Sequence, residues 1–200
     1  HRPSLAIVAA LVGLQSDQVE SPEHAIQALE KTRDRILAMG QIHSLLYQSE
    51  TLADIDFSAY VRSLVDRLSD TYGGKAHVEV KDRTSRARME ITTAVPVGLM
   101  INEIVTNAFK HAFPDRRTGK ISVVLSEASS QRYRVSIEDN GVGMASLPND
   151  EEPNSLGLKL VHILADQVQA TVSVTGDSGT QWEIEFSMVS QYLQRKTAAP

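Results

Sequence analysis

The sequence predicts an α+β protein: an N-terminal antiparallel helical hairpin, then a mixed sheet carrying helices on one of its faces. Three observations predict it. Apolar residues recur at helical spacing up to about residue 72, alternate with period two in five later segments, and return to helical spacing twice between those segments.

From Pro3 to about Gln18, Leu5, Val8, Leu11 and Val12 form a stripe that Ile7 and Leu14 widen, so this helix expects partners on more than one side. Ser21-Pro22-Glu23 starts a second helix, because serine can cap, proline is preset for a first turn and glutamate suits the positive end of the helix dipole. Its stripe runs through Ile26, Leu29, Ile36, Met39, Ile42, Leu45 and Leu46 to about Tyr47. Two such helices bury too little alone, and pairing with a second copy into a four-helix bundle, a homodimer, is the expectation.

A third helix from about Phe57 to Asp70 places Tyr60, Val61, Leu64, Val65 and Leu68 on one face, and Tyr72-Gly73-Gly74 ends it. Five half-buried strands follow, carried by Val78 and Val80, by Ile121, Val123 and Leu125, by Tyr133, Val135 and Ile137, by Val172 and Val174, and by Trp182, Ile184 and Phe186. Helices at roughly 93 to 112 and 156 to 169 lie between them. The division of labour predicted is residues 1–55 for the hairpin and 56–200 for the sheet-bearing domain.

Composition removes several function classes. Twenty basic against twenty-five acidic residues leave a formal charge of -5, which argues against a broad nucleic-acid surface and leaves room only for a local anion site. Cysteine is absent, so neither a disulfide framework nor a thiolate metal site exists, as suits a reducing cytosol. The longest apolar run, Leu5 to Leu14, is too short to span a bilayer, so no membrane contact is expected. A first residue that is histidine rather than methionine marks the chain as a fragment in expectation.

Three stretches break their own pattern. In the helix at 93 to 112, Val97, Ile101, Ile104, Val105, Ala108 and Ala112 face the sheet, leaving Glu103, Asn107, Lys110 and His111 on a shared polar flank. Asparagine is about 0.6 kcal/mol worse than alanine inside a helix. The flank is either a plain solvated face or a site, and a carboxylate, amide, ammonium and imidazole in series suit a hard Mg²⁺ with phosphate beside it. Next, strict alternation along YRVSIEDN puts Asp139 on the buried side. It is either a turn residue before Asn140-Gly141 or a carboxylate at the mouth of an apolar pocket, where it could accept a hydrogen bond from an exocyclic amine; Gly141 and Gly143 would let the backbone approach a flat ligand. Finally, MASLPNDEEPNS resembles a lid and leads into SLGLKLVHILADQ, where Ser155 can cap and Gly157 lies in a first turn whose free amides suit phosphate, or simply permits close packing. Gly176-Asp177-Ser178-Gly179, with Thr180 after it, forms the last hairpin turn.

In this order the stretches NEIVTNAFKHAFP, DNGVGM, SLGLKLV and Gly179-Thr180 resemble the N, G1, G2 and G3 boxes of the GHKL (Bergerat-fold) ATPase superfamily, and most of all the HWE-type histidine kinases and their sister subfamily. The resemblance spans nearly the whole chain, with RILAMGQIHSLLYQSE similar to the second helix of the phosphotransfer hairpin. It implies ATP and Mg²⁺ as ligands, with Asn107 on the metal, Glu103 orienting or deprotonating the attacking imidazole, and Lys110 and His111 near phosphate. It also implies Asp139 on adenine, Gly141 and Gly143 around the base, Ser155, Leu156, Gly157 and Leu158 on the phosphate side, and Gly179 with Thr180 at the far rim. His1 would be the phosphoacceptor, although Leu5 stands where the subfamily's His-Arg-x-x-Asn pattern has asparagine; His43 is the next candidate, and His24, His77 and His162 read as surface or packing residues. The partner implied is an aspartate on a response-regulator receiver domain, in the cytoplasm, with phosphatase action as a variant. A GHKL serine kinase switching an anti-sigma partner and a non-catalytic phosphotransfer scaffold are the rival readings.

Overall fold

The computed structural model describes residues 22, 25–26, 29–30, 32–33, 35–37, 40, 55–72, 76–84, 87–114, 118–129, 132–144, 156–176 and 178–187. The described positions between 22 and 40 are helical, in agreement with the second expected helix; the first expected helix, His1, His24 and His43, the expected lid from 145 on, and Ser155 lie outside the described residues.

A short antiparallel ladder, β1 (Ile55–Asp56) on β3 (Arg88–Met89), joins the chain on either side of the first long helix, and its two-residue strands are too brief to leave a period in the sequence. Helix α1 (Phe57–Tyr72) begins where Asp56 Oδ1 accepts the Ala59 amide at 3.0 Å, the usual way a short acid satisfies an orphan donor. Its buried residues, Phe57, Tyr60, Val61, Leu64, Val65 and Leu68, recur at helical spacing, and each such side chain contributes about 1.5–3 kcal/mol on leaving water.

The main sheet has the order β2 (Ala76–Arg83), β4 (Gly119–Ser129), β5 (Arg132–Asp139), β7 (Thr180–Ser187), β6 (Thr171–Thr175). It is mixed: β2 runs parallel to β4, and the other neighbours are antiparallel. The parallel pair needs a crossover, which α2 (Ile91–Asn107) supplies, and α3 (Leu156–Val168) connects β5 to β6. Alternation puts Ile121, Val123, Leu125, Val135, Ile137, Trp182, Ile184 and Phe186 on one face under the helices, while Arg134, Glu183 and Glu185 pair on the other. This is the α+β layer the sequence predicts.

Helix α2 departs from a one-sided stripe. It is buried from Thr93 to Thr106, because the sheet covers one side and α1 and α3 cover others. Gly98 is required for this: a Cβ there would overlap the Tyr60 hydroxyl, whose pKa burial pushes up. The expected helix to residue 112 also changes character at Ala108, where the last turn widens into a π-helix (Ala108–Ala112). The wider turn keeps Ala108, Phe109, Ala112 and Phe113 all buried while Lys110 and His111 point outward.

Candidate functional site

Three of the sequence-predicted segments meet at the end of β5: the end of the 102–114 stretch, the DNGVG loop and the Gly179-Thr180 hairpin. Asp139 is 7 % exposed, and its Oδ1 accepts two backbone amides, Gly141 N at 2.9 Å and Thr180 N at 3.3 Å. Register explains the second bond, since Asp139 and Thr180 stand opposite each other on β5 and β7. Hydrogen bonds to a charged group are worth about 1.5–3 kcal/mol each, enough to keep this buried carboxylate in place. Among the described residues nothing donates to its second oxygen, Oδ2.

The glycines allow this convergence. A Cβ on Gly141 would overlap the Ala112 carbonyl, and the next amide, Val142 N, donates to that carbonyl at 3.0 Å. The last carbonyl of the π turn is thereby handed to the DNGVG loop, which fixes the α2 side of the site to the β5 side. Gly179 (φ +100°) sits so close to the Asp139 carbonyl that a side chain would overlap it, and Gly143 (φ +74°) lies where a Cβ would come within 3.1 Å of the Gly176 carbonyl. Asn140 anchors the loop from outside: its Oδ1 accepts Lys120 N at 2.7 Å, and its own amide donates to Lys120 O at 3.2 Å.

The polar flank of α2 is graded rather than uniform. Lys110 and His111 are exposed, with the Lys110 ammonium 5.0 Å from the centre of the Tyr72 ring, which itself stacks on Phe109. Asn107 is half-buried at the junction of α2 and the π turn. Glu103 is 6 % exposed and meets Arg35, whose Nε and Nη2 each donate to one carboxylate oxygen at 2.7 Å. Sequence reasoning missed Arg35 entirely, because its partner is 68 residues away and no spacing rule connects them. On α3, Gly157 and Leu158 are buried, and Leu156 opens the helix. His77 is exposed and His162 half-buried, both away from any cluster able to hold a metal among the described residues.

This donor set suits a flat base and its phosphates: a buried acid with one oxygen to spare, glycine backbone on either side of it, and a lone amide oxygen with nearby cations. Mg²⁺ keeps much of its water and takes few protein oxygens beside substrate phosphate, so Asn107 would be the residue to hold it, and the ion would supply charge neutralisation there. Two family profiles match the chain. One, described as "Histidine kinase", matches residues 2–72, and the other, "Histidine kinase-, DNA gyrase B-, and HSP90-like ATPase", matches residues 92–190. The chain is a histidine-kinase catalytic core of the GHKL superfamily. It is 28 % identical over 199 residues to "Blue-light-activated histidine kinase 2" of Erythrobacter litoralis, covering 94 % of this chain and 54 % of that protein. It is 27 % identical over 165 residues to "Sensor histidine kinase PdtaS" of Mycolicibacterium smegmatis, covering 80 % and 32 %. The chain thus spans about half or less of these relatives. In fold it is similar to the histidine kinase domain of the Erythrobacter litoralis EL346 blue-light activated kinase, with a TM-score of 0.71 at 22 % identity over 96 % of this chain and 95 % of that one. No described helix is long and apolar enough to cross a membrane.

Proposed function

We propose that this histidine-kinase core binds Mg-ATP between the end of α2 and the tip of β5, phosphorylates a histidine on its own hairpin, and passes the phosphoryl group to an aspartate of a response regulator. The carrying observation is the junction at Asp139, where the carboxylate, Gly141, Ala112, Gly179 and Thr180 are tied together by backbone contacts. Such a junction is preorganised: Oδ1 is held by two amides, and Oδ2 is left to accept the exocyclic amine of adenine.

Each residue then has a task. Asn107 offers its amide oxygen to Mg²⁺, which when bound neutralises charge on the phosphate oxygens. Lys110 and His111, both exposed, reach the phosphates, and Gly157 with Leu158 form the wall on the α3 side; Ser155 and Leu156 take the phosphate-side role that the family resemblance implies. Glu103 accepts the proton from the acceptor imidazole as its free nitrogen attacks the γ-phosphorus in line; the bond to the bridging oxygen breaks, and ADP departs with that electron pair. His1 is the acceptor in this reading, with residues 1–55 as a homodimerising phosphotransfer hairpin and 56–200 as the ATP-binding domain. The apolar residues Ile26, Leu29, Ile36 and Leu37 are 47–70 % exposed on the 22–40 helix, which favours the dimer.

Incubation with γ-labelled ATP and Mg²⁺ tests this. Label that is acid-labile, base-stable and lost in His1→Ala is expected. Acid-stable label would replace the reading with a serine kinase, and ATP-dependent loss of phosphate from a regulator without self-labelling would make phosphatase action the main activity.

A further inference from the structure

Glu103 has a task in the proposed reaction, but its partner Arg35 has none there. Arg35 is 1 % exposed on a helix of the N-terminal segment, yet its guanidinium reaches α2 of the ATP-binding domain and occupies both oxygens of Glu103 at 2.7 Å. Its remaining terminal nitrogen, Nη1, is buried without a hydrogen-bond partner. The same helix turns Ile26 and Leu37 outward, and at about 100° per residue these stand roughly opposite Arg35. Whatever reseats that apolar stripe therefore moves Arg35 as well.

We propose that Arg35 is a gate on Glu103: while the two are paired the carboxylate is withheld from the acceptor imidazole, and withdrawal of the helix carrying Arg35 uncovers it. The inference rests on the role given to Glu103 under the proposed function. Two physical facts make the closed arrangement reversible. A bidentate guanidinium–carboxylate pair is geometrically selective, so a small shift of the helix breaks both bonds together. A buried donor left unpaired offsets part of what the pair contributes, so the closed state is held less firmly than its two short bonds suggest. Removing Arg35 leaves a buried carboxylate uncompensated, which drives the helix away from α2 and Glu103 toward water. Arg35 is thus a positioning residue; it touches no reacting atom.

The test compares initial rates of self-phosphorylation and ATP affinity for the wild-type chain, Arg35→Gln, Arg35→Lys, Glu103→Gln and Arg35→Gln/Glu103→Gln. Because cysteine is absent, spin labels at Glu30→Cys and Ser173→Cys, both on exposed positions outside the apolar stripe, report the distance between the helix and the sheet without background. Expected are a rate about tenfold higher in Arg35→Gln with ATP affinity unchanged, a smaller rise in Arg35→Lys, which keeps the charge but loses the fork, and a longer, broader label distance in both. The double variant is expected to be as inactive as Glu103→Gln. A wild-type or lower rate in Arg35→Gln and Arg35→Lys, with Glu103→Gln inactive, overturns the gate alone; should Arg35→Gln not fold, Arg35→Lys decides. Full activity in Glu103→Gln overturns the role of Glu103 itself, and the gate with it.

Discussion

Asp139 and Glu103 are both buried carboxylates in the same domain, and they are held in opposite ways. Asp139 is tied by backbone amides two residues along its own loop and directly across its own sheet. Glu103 is tied by one side chain from a helix far back in the sequence. The Thr180 amide cannot be withdrawn without opening the β5–β7 pair, nor the Gly141 amide without rebuilding its own loop, whereas a guanidinium leaves when its helix moves. The difference suits the two roles proposed: a fixed reader of the base, and a base that catalysis must be able to switch.

The comparison breaks most visibly at Asp139. Asp139→Ala removes the acceptor of two amides and the free oxygen at once, and ATP affinity is expected to fall about 100-fold by calorimetric titration. Thermal unfolding of the same variant is expected to show lower stability too, since the Gly141 and Thr180 amides lose their partner. Gly179→Ala attacks the same junction through sterics: with φ at +100° and the Asp139 carbonyl in the way, about 2–3 kcal/mol of stability is expected to be lost in a denaturant titration. Glu103→Gln should do the reverse of Asp139→Ala, leaving ATP affinity within about twofold while self-phosphorylation falls by at least about 100-fold. If both acids change affinity equally, the contrast between reader and base is lost.

The smallest expected effect is at the surface. Lys120 and Lys81 hydrogen-bond to Glu79 and hold its carboxyl below the ordinary range. A depressed folded-state value contributes stability above the unfolded-state pKa and loses it as pH falls through the folded one. Glu79→Gln should therefore lower stability slightly at neutral pH, flatten the acid side of the profile, and leave stability unchanged below the folded-state value; the effect is small because an exposed pair is screened by solvent.

Much of this fold is legible in the sequence wherever one face is buried. Period two along YRVSIED places Asp139 inward with Val135 and Ile137, and the structure has it there because β5 stays in register with β7 up to Thr180. The hairpin turn at 176–179 is legible from its glycines. The π turn is not, since Ala108 and Ala112 keep the spacing of an ordinary helix and only the hand-over of the Ala112 carbonyl to Val142 marks the difference. The burial of Glu103 is hidden for another reason: its cover comes from Arg35, a residue that on its own helix reads as one more polar position. Nor does the two-residue ladder of β1 and β3 carry enough residues to alternate.

Calorimetric titration of ATP with Mg²⁺ into the wild-type chain and into Asn107→Ala/Asp139→Asn addresses the cleft most directly. Saturable binding by the wild-type chain, magnesium-dependent and lost in the double variant while that variant remains folded, is the result expected. Equal binding by both chains, or none by either, would contradict a nucleotide site at the junction of α2 and β5.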